Sequence, residues 1–251
     1  MTNHIKIIIP FYNVEKWILR CIRSIKAQNY QNYRAILVND MSTDNTLSTI
    51  QKEIKNSDKF SLIHTGENGG PLNSTIHGIE YSKPNDKDVI IVLDGDDWFA
   101  NKNSLSIVND AYMTTNCLMT YGSYIEYPRA IRGQFSKQLP NEVIQTKKFR
   151  QYHWVTSHLR TFKYILWRNI QREDLLDSTG KTYTMAGDLA AVFPMLEMAE
   201  ERSHYIKDII HVYNRSNPLN EDKINHNLQS AIELEVRNKP VYPRLNLEDP
   251  E

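Results

Sequence analysis

Three carboxylates fall within four residues in the run Leu93-Asp94-Gly95-Asp96-Asp97-Trp98. Like charges at that spacing repel and raise one another's pKa, so they are tolerated where something positive sits among them. Hard divalent cations with oxygen ligands are the usual answer, and Mg²⁺ typically takes one or two protein carboxylates together with substrate phosphates. The pattern points to a metal–diphosphate site with Asp96 and Asp94 as the ligands. A solvated acidic turn after a strand is the plain alternative. His211, in the apolar run Ile209-Ile210-His211-Val212-Tyr213, is either a third ligand or a strand histidine satisfied by a neighbour.

The elements that must position these groups alternate. Lys6-Ile7-Ile8-Ile9-Pro10 is a β-branched apolar run of the kind buried in parallel sheets. Asn13 is placed to cap the helix that follows, in which Trp17, Ile18, Cys21, Ile22 and Ile25 recur at helical spacing. Residues 33–38 read as a second strand, with Asp40 just beyond it, and Ser42-Thr43-Asp44 can cap a helix holding Leu47, Ile50 and Ile54. A third strand spans 60–64, and Gly69-Gly70-Pro71 leads into a helix with Leu72, Ile76 and Ile79. The strand 88–93 carries the acidic cluster at its end, then come a helix near 105–111 and a strand at 118–124. Such alternation implies βαβ units and a mostly parallel, Rossmann-like sheet flanked by helices. Ligands of these sheets bind at the carboxyl ends of the strands. Pro10, Asp40, Asn68-Gly69-Gly70 and the acidic cluster all sit there, so four strand ends converge on one rim. Neither a Gly-x-Gly-x-x-Gly after the first strand nor a Gly-Lys-Ser/Thr loop is present, which argues against a dinucleotide dehydrogenase and an ordinary ATPase.

Composition sets the class. The chain has 251 residues, 40% hydrophobic, with Lys+Arg and Asp+Glu both 30. Zero formal charge gives no electrostatic case for nucleic acid. Two widely separated cysteines suit a reducing compartment, with Cys21 on an apolar helical stripe. No apolar run approaches the ~20 residues of a membrane span, and no signal-peptide pattern opens the sequence. The expectation is a cytoplasmic protein without an integral membrane anchor.

These residues carry a family resemblance. Ile8-Ile9-Pro10-Phe11-Tyr12-Asn13 resembles the first strand and "P-x-Y-N" turn of family 2 glycosyltransferases of the GT-A fold. Val38 to Thr46 resembles their "V-x-D-x-S-x-D-x-T" segment, Asn68-Gly69-Gly70 through Gly78 their "N-x-G" helix start, and Leu93 to Asp97 their D-x-D motif. The motifs stand in the family's order over residues 5 to about 125. The resemblance implies transfer of a sugar from a nucleoside diphosphate donor, most often a UDP-sugar, to an acceptor hydroxyl, usually with Mn²⁺ or Mg²⁺. It places Pro10, Tyr12 and Asp40 around the base, Gly69 beside the donor, and Asp96 on the cation with Asp94 assisting or facing the ribose. An Arg common in the helix after the Gly-Gly segment is Thr75 here, so the contact it makes is either missing or supplied elsewhere, by Lys83 or a basic residue of the second half.

The second half is expected to bring the acceptor and the base. Met185 to Leu196 resembles the family's catalytic helix. Asp188 matches its general base, whereas the Glu that commonly precedes the base is Gly187. As a helix-start residue Asp188 is also a natural cap. Trp98, Trp154 and His158 are candidates for acceptor binding, since aromatic faces stack on sugar C–H surfaces, although both tryptophans suit a core equally well. Arg215 is a candidate for the diphosphate. The basic stretch from Arg132 to Gln151 reads as a loop over the donor or as solvated surface. The expected layout is a nucleotide-sugar half over 1–125, an acceptor and base half over 126–216, and a peripheral helix with a loose tail over 217–251. A non-catalytic sugar-nucleotide or glycan binder, and a nucleotidyltransferase, are the rival readings.

Overall fold

The computed structural model describes residues 2–220, 223 and 225–247. β1 (Ile5–Phe11), β2 (Tyr33–Asn39), β3 (Phe60–His64) and β4 (Val89–Val92) form the expected parallel half, with β1 between β2 and β4. The sheet continues through β8 (Thr161–Lys163), β6 (Met119–Tyr127), β9 (Ser203–Asn214) and β5 (Trp98–Phe99), while β7 (Ile131–Arg132) pairs with β6. β6 runs antiparallel to β8 and parallel to β9. Strand β6 crosses residue 125, so one sheet joins the two sequence halves.

β1 is apolar at nearly every position because both faces are covered. Ile5, Ile7 and Ile9 pack on the layer built by α1 (Ile18–Lys26), α2 (Thr46–Ile54) and α4 (Ser104–Thr115). Ile8 packs on the other layer, with α3 (Gly70–Ser82) and α7 (Gly187–Ala199). In α1 the buried stripe is Ile18, Cys21, Ile22 and Ile25, as the spacing predicts. α7 is buried all round except at Asp188, the signature of a helix inside the molecule rather than on it. The short α5 (Asn141–Gln145) and α6 (Tyr164–Arg168) close this second layer, and α8 (His226–Arg237) lies across it with Ile232 and Val236 buried.

Three expectations are corrected. Asn13 does not cap α1, which starts at Ile18; it adopts a left-handed φ of 51°. Its Oδ1 instead accepts from the N–H groups of Thr43 (2.8 Å) and Asp44 (3.3 Å), and Val14 N–H donates to Thr46 Oγ1. The turns after β1 and β2 are thus bonded to each other. In the basic stretch, Arg150 is neither mobile nor solvated: it is buried and pairs through Nε with Glu197 Oε1 at 2.6 Å. The tail is not loose over its described part. Tyr242 N–H donates to Glu197 Oε2, Leu245 N–H donates to Met198 O, and Arg202 donates to Leu245 O. The expected polar helix of 221–235 is found as α8 from His226; Glu221, Asp222, Ile224 and the last residues, Pro250 among them, lie outside the described residues.

Candidate active site

The carboxyl ends of β1, β2 and β4 open onto a cavity of about 600 Å³ whose far wall is the start of α7. Its lining includes Pro10, Tyr12, Asp40, Gly70, Asp94, Asp96, His158, Arg160 and Asp188. The strand ends expected to converge do so, and they meet the second half of the chain at one place.

Asp40 is buried at the end of β2, and its carboxylate organises the glycine turn. Oδ1 accepts from Gly69 N–H (3.0 Å) and Thr65 Oγ1 (3.1 Å), and Oδ2 accepts from Gly70 N–H (2.9 Å). Gly70 stands at φ 83°, a backbone state that favours glycine. Asp40 therefore fixes where α3 begins as well as facing the cavity. One turn into α3, Ser74 Oγ is buried against the cavity with no hydrogen-bond partner among the described residues, a group that a polar ligand would satisfy.

The three carboxylates after β4 divide their work. Asp97 points inward: Oδ1 accepts from Asn214 N–H at 2.7 Å, and Oδ2 meets His211 Nε2 at 2.9 Å. This clamp anchors the acidic turn to β9 and engages Nε2 of His211, while His211 Nδ1 is buried with no hydrogen-bond partner among the described residues. Asp94 and Asp96 face the cavity, and Asn217 Nδ2 donates to Asp96 Oδ2 at 2.8 Å. Burial and then the neighbouring Asp96 push Asp94 up to about 6; burial and then Asp97 push Asp96 up to about 7. Two oxygen-ligand carboxylates held together at that cost fit a hard divalent cation, which would relieve both causes. Burial holds His211 down to about 3 and, with Arg160 and His211 adding, holds His158 well below its usual range, so both imidazoles are neutral. One ligand atom each from Asp97, His158 and His211 lies within 4.8 Å of the others, a second cluster beside Asp94.

Asp188 opens α7 at the cavity mouth, half-exposed, where Arg160 Nη1 donates to its Oδ2 at 2.5 Å. Arg160 Nη2 also reaches His158 Nε2 at 3.3 Å, and His158 Nε2 lies 3.9 Å from Asp94 Oδ2. A guanidinium only donates, so His158 Nε2 accepts and its Nδ1–H faces Ser157 Oγ at 3.0 Å. Sequence reasoning passed over Arg160, although it stands two residues beyond His158, one of the acceptor candidates. Gly187, the departure beside the base, has a packing cause. A Cβ at this position would lie 2.7 Å from Leu72 Cβ, so α3 and α7 meet where a side chain would stand.

The structure separates the other candidates from the cavity. Trp98 lies in β5, edge-on to Tyr127 at 5.2 Å, with Arg20 Cζ 3.9 Å from its ring centroid. Trp154 packs edge-on against Phe193 at 5.6 Å, on the core. Arg215 and Lys223 line a separate recess with Tyr127, Pro128 and Arg129. Of the three acceptor candidates, the cavity takes in His158.

The family profile described as glycosyl transferase family 2 matches residues 6–174. The chain belongs to that family. It is 36% identical over 121 residues to an uncharacterized glycosyltransferase of Haemophilus influenzae, covering 48% of this chain and 46% of that protein. It is 27% identical over 127 residues to the glycosyltransferase GlyG of Streptococcus pneumoniae, covering 51% of this chain and 41% of that one. The chain thus spans less than half the length of these relatives. Among solved structures, S. aureus TarS superposes with a TM-score of 0.63 at 18% identity, over 84% of this chain and 60% of that one. The mannosyltransferase PcManGT of Pyrobaculum calidifontis, in complex with GDP-Man and Mn²⁺, gives 0.62 at 16% identity, over 96% and 66%. The fold is GT-A.

Proposed function

We propose that this chain is an inverting glycosyltransferase that moves a sugar from a nucleoside diphosphate donor, a UDP-sugar by preference, to the hydroxyl of a glycan or another acceptor. The observation that carries the reading is one cavity holding the paired carboxylates Asp94 and Asp96, the nucleotide-side residues Pro10, Tyr12 and Asp40, and the helix-start carboxylate Asp188. Related folds support the donor class: TarS has been solved with UDP-GlcNAc and PcManGT with GDP-Man.

In this reading Asp96, oriented by Asn217 and assisted by Asp94, holds Mn²⁺ or Mg²⁺. A bound cation would supply Lewis-acid neutralisation of the departing diphosphate. Asp188 takes the proton from the acceptor hydroxyl as that oxygen bonds to the anomeric carbon. The bond to the diphosphate oxygen breaks on the opposite side, and the configuration inverts. Both cysteines are buried and free, in keeping with a reaction in the reducing cytoplasm, and no described helix is long and apolar enough to cross a membrane. The test is calorimetric titration of UDP and GDP, with and without Mn²⁺, into wild type and Asp96→Ala. Manganese-dependent binding that the substitution abolishes supports the donor site; equal binding with and without Mn²⁺ favours a non-catalytic binder, and pyrophosphate release on turnover identifies a nucleotidyltransferase.

A further inference from the structure

Among the described residues lining the cavity, Arg160 is the one Lys or Arg, set against the carboxylates of Asp40, Asp94, Asp96 and Asp188. It is buried at 8% exposure, so its position is set by packing on β8 rather than by solvent. Its hold on Asp188 uses a single prong, Nη1 to Oδ2, while Nη2 is given to the neutral His158. That is half of what a guanidinium fork can do: two parallel N–H groups match a phosphate bidentately. One neutral imidazole separates Arg160 from Asp94, so the guanidinium stands between the carboxylate read as the base and the carboxylates read as the diphosphate-side ligands.

We propose that Arg160 is shared between Asp188 and the donor: it neutralises Asp188 until a nucleoside diphosphate enters, then turns its fork to the diphosphate and leaves Asp188 free for the acceptor hydroxyl. This rests on the reading of Asp94, Asp96 and Asp188 given above. The chemistry is competition for one cation. An ion pair to Arg160 occupies Oδ2 of Asp188, and Oδ1 accepts from Leu189 N–H, so the acceptor hydroxyl must compete with donors already in place. The diphosphate is the stronger rival, offering more charge and fork geometry. Donor occupancy and release of Asp188 are thereby linked, and the acceptor meets a competent base only after the donor is in place. His158, neutral and fixed by Ser157, serves as the seat from which Nη2 leaves.

Linkage gives a test that simple charge repulsion does not mimic. Binding of UDP or GDP, whichever the wild type prefers, is measured with Mn²⁺ in wild type, Asp188→Asn, Arg160→Gln and the double variant. If Asp188 competes for Arg160, Asp188→Asn tightens nucleotide binding about 5-fold or more, Arg160→Gln weakens it at least as much, and the double variant binds like Arg160→Gln alone. The free nucleoside binds all four alike. An equal gain from Asp188→Asn in both backgrounds shows general repulsion and overturns the sharing, as does an Arg160→Gln variant with unchanged affinity. A wild type that binds neither nucleotide with Mn²⁺ overturns the donor site itself, and the sharing with it. Thermal unfolding checks each variant; if Arg160→Gln does not fold, Arg160→Lys keeps the charge without the fork and is expected to fall between wild type and loss.

Discussion

The acidic turn sets what individual residues are asked to do. Asp94 and Asp96 titrate near 6 and 7, above the ~3.9 of an aspartate in an unfolded chain. Between those values the folded protein binds more protons than the unfolded one, so stability falls as pH rises through the window. Neutral His158 and His211 work in the opposite sense below about pH 6.5, so the comparison is with Asp94→Asn/Asp96→Asn: without cation, the melting temperature of wild type relative to that variant is expected to drop from about pH 4 to pH 7. A cation removes the cause, so the upward shift produced by Mn²⁺ should be largest at pH 8 and vanish near pH 5; a shift that does not depend on pH counts against these ligands. Asp40 makes a different demand. Asp40→Ala leaves the N–H groups of Gly69 and Gly70 without their acceptor, at an expected cost of about 2–3 kcal/mol in urea unfolding. At this scale the sequence was legible where a residue's type and its place at a strand end or helix start agree: Asp94, Asp96 and Asp188 all line the cavity. It was not legible for Arg160, because nothing local marks an arginine just before a short strand as facing a cavity. Nor did it separate Trp98 and Trp154 from the core, since an aromatic ring suits both settings.

At the scale of elements, the apolar periods placed the parallel strands and the helices between them, because β1, β2 and β4 are buried on both faces and each of α1 and α2 on one. The caps were less legible. Asn13 has the composition of a helix start, yet its side chain is bonded across to the turn after β2, a contact about thirty residues away. The contact of α3 with α7 is the element-level feature that matters most for the site. Gly187→Ala puts a Cβ 2.7 Å from Leu72 Cβ, where neither atom can rotate away. The expected result is a loss of about 1–3 kcal/mol and a displaced α7 start, read as weakened activity alongside a lower unfolding midpoint. Introducing the family's Glu at this position should fail for the same reason.

Over the whole molecule, the second layer is held from beneath by a buried charge. Arg150 meets Glu197 through Nε (2.6 Å) and Nη2 (2.9 Å), and its Nη1 donates to Val236 O at 2.6 Å. Removing one partner strands the other, so Arg150→Met or Glu197→Leu alone is expected to cost about 3–5 kcal/mol, while the pair of substitutions together recovers most of it. Chemical denaturation of the three variants checks this. Sequence reasoning had no access to the pair, because its members and the carbonyl between them come from a stretch read as surface, a core helix and a region read as periphery. The same pair has a practical corollary for anyone trimming the protein. Glu197 also accepts from Tyr242 N–H, and it lies on the helix that begins with Asp188. Residues 236–245 are therefore a buttress for the cavity wall that carries Asp188, and a version cut back to the end of β9 would leave an ion pair uncovered beneath it. Such a shortened chain should keep its nucleotide-side half in register while its Asp188 end slackens, so tight ligand binding and poor turnover would together mark a missing buttress.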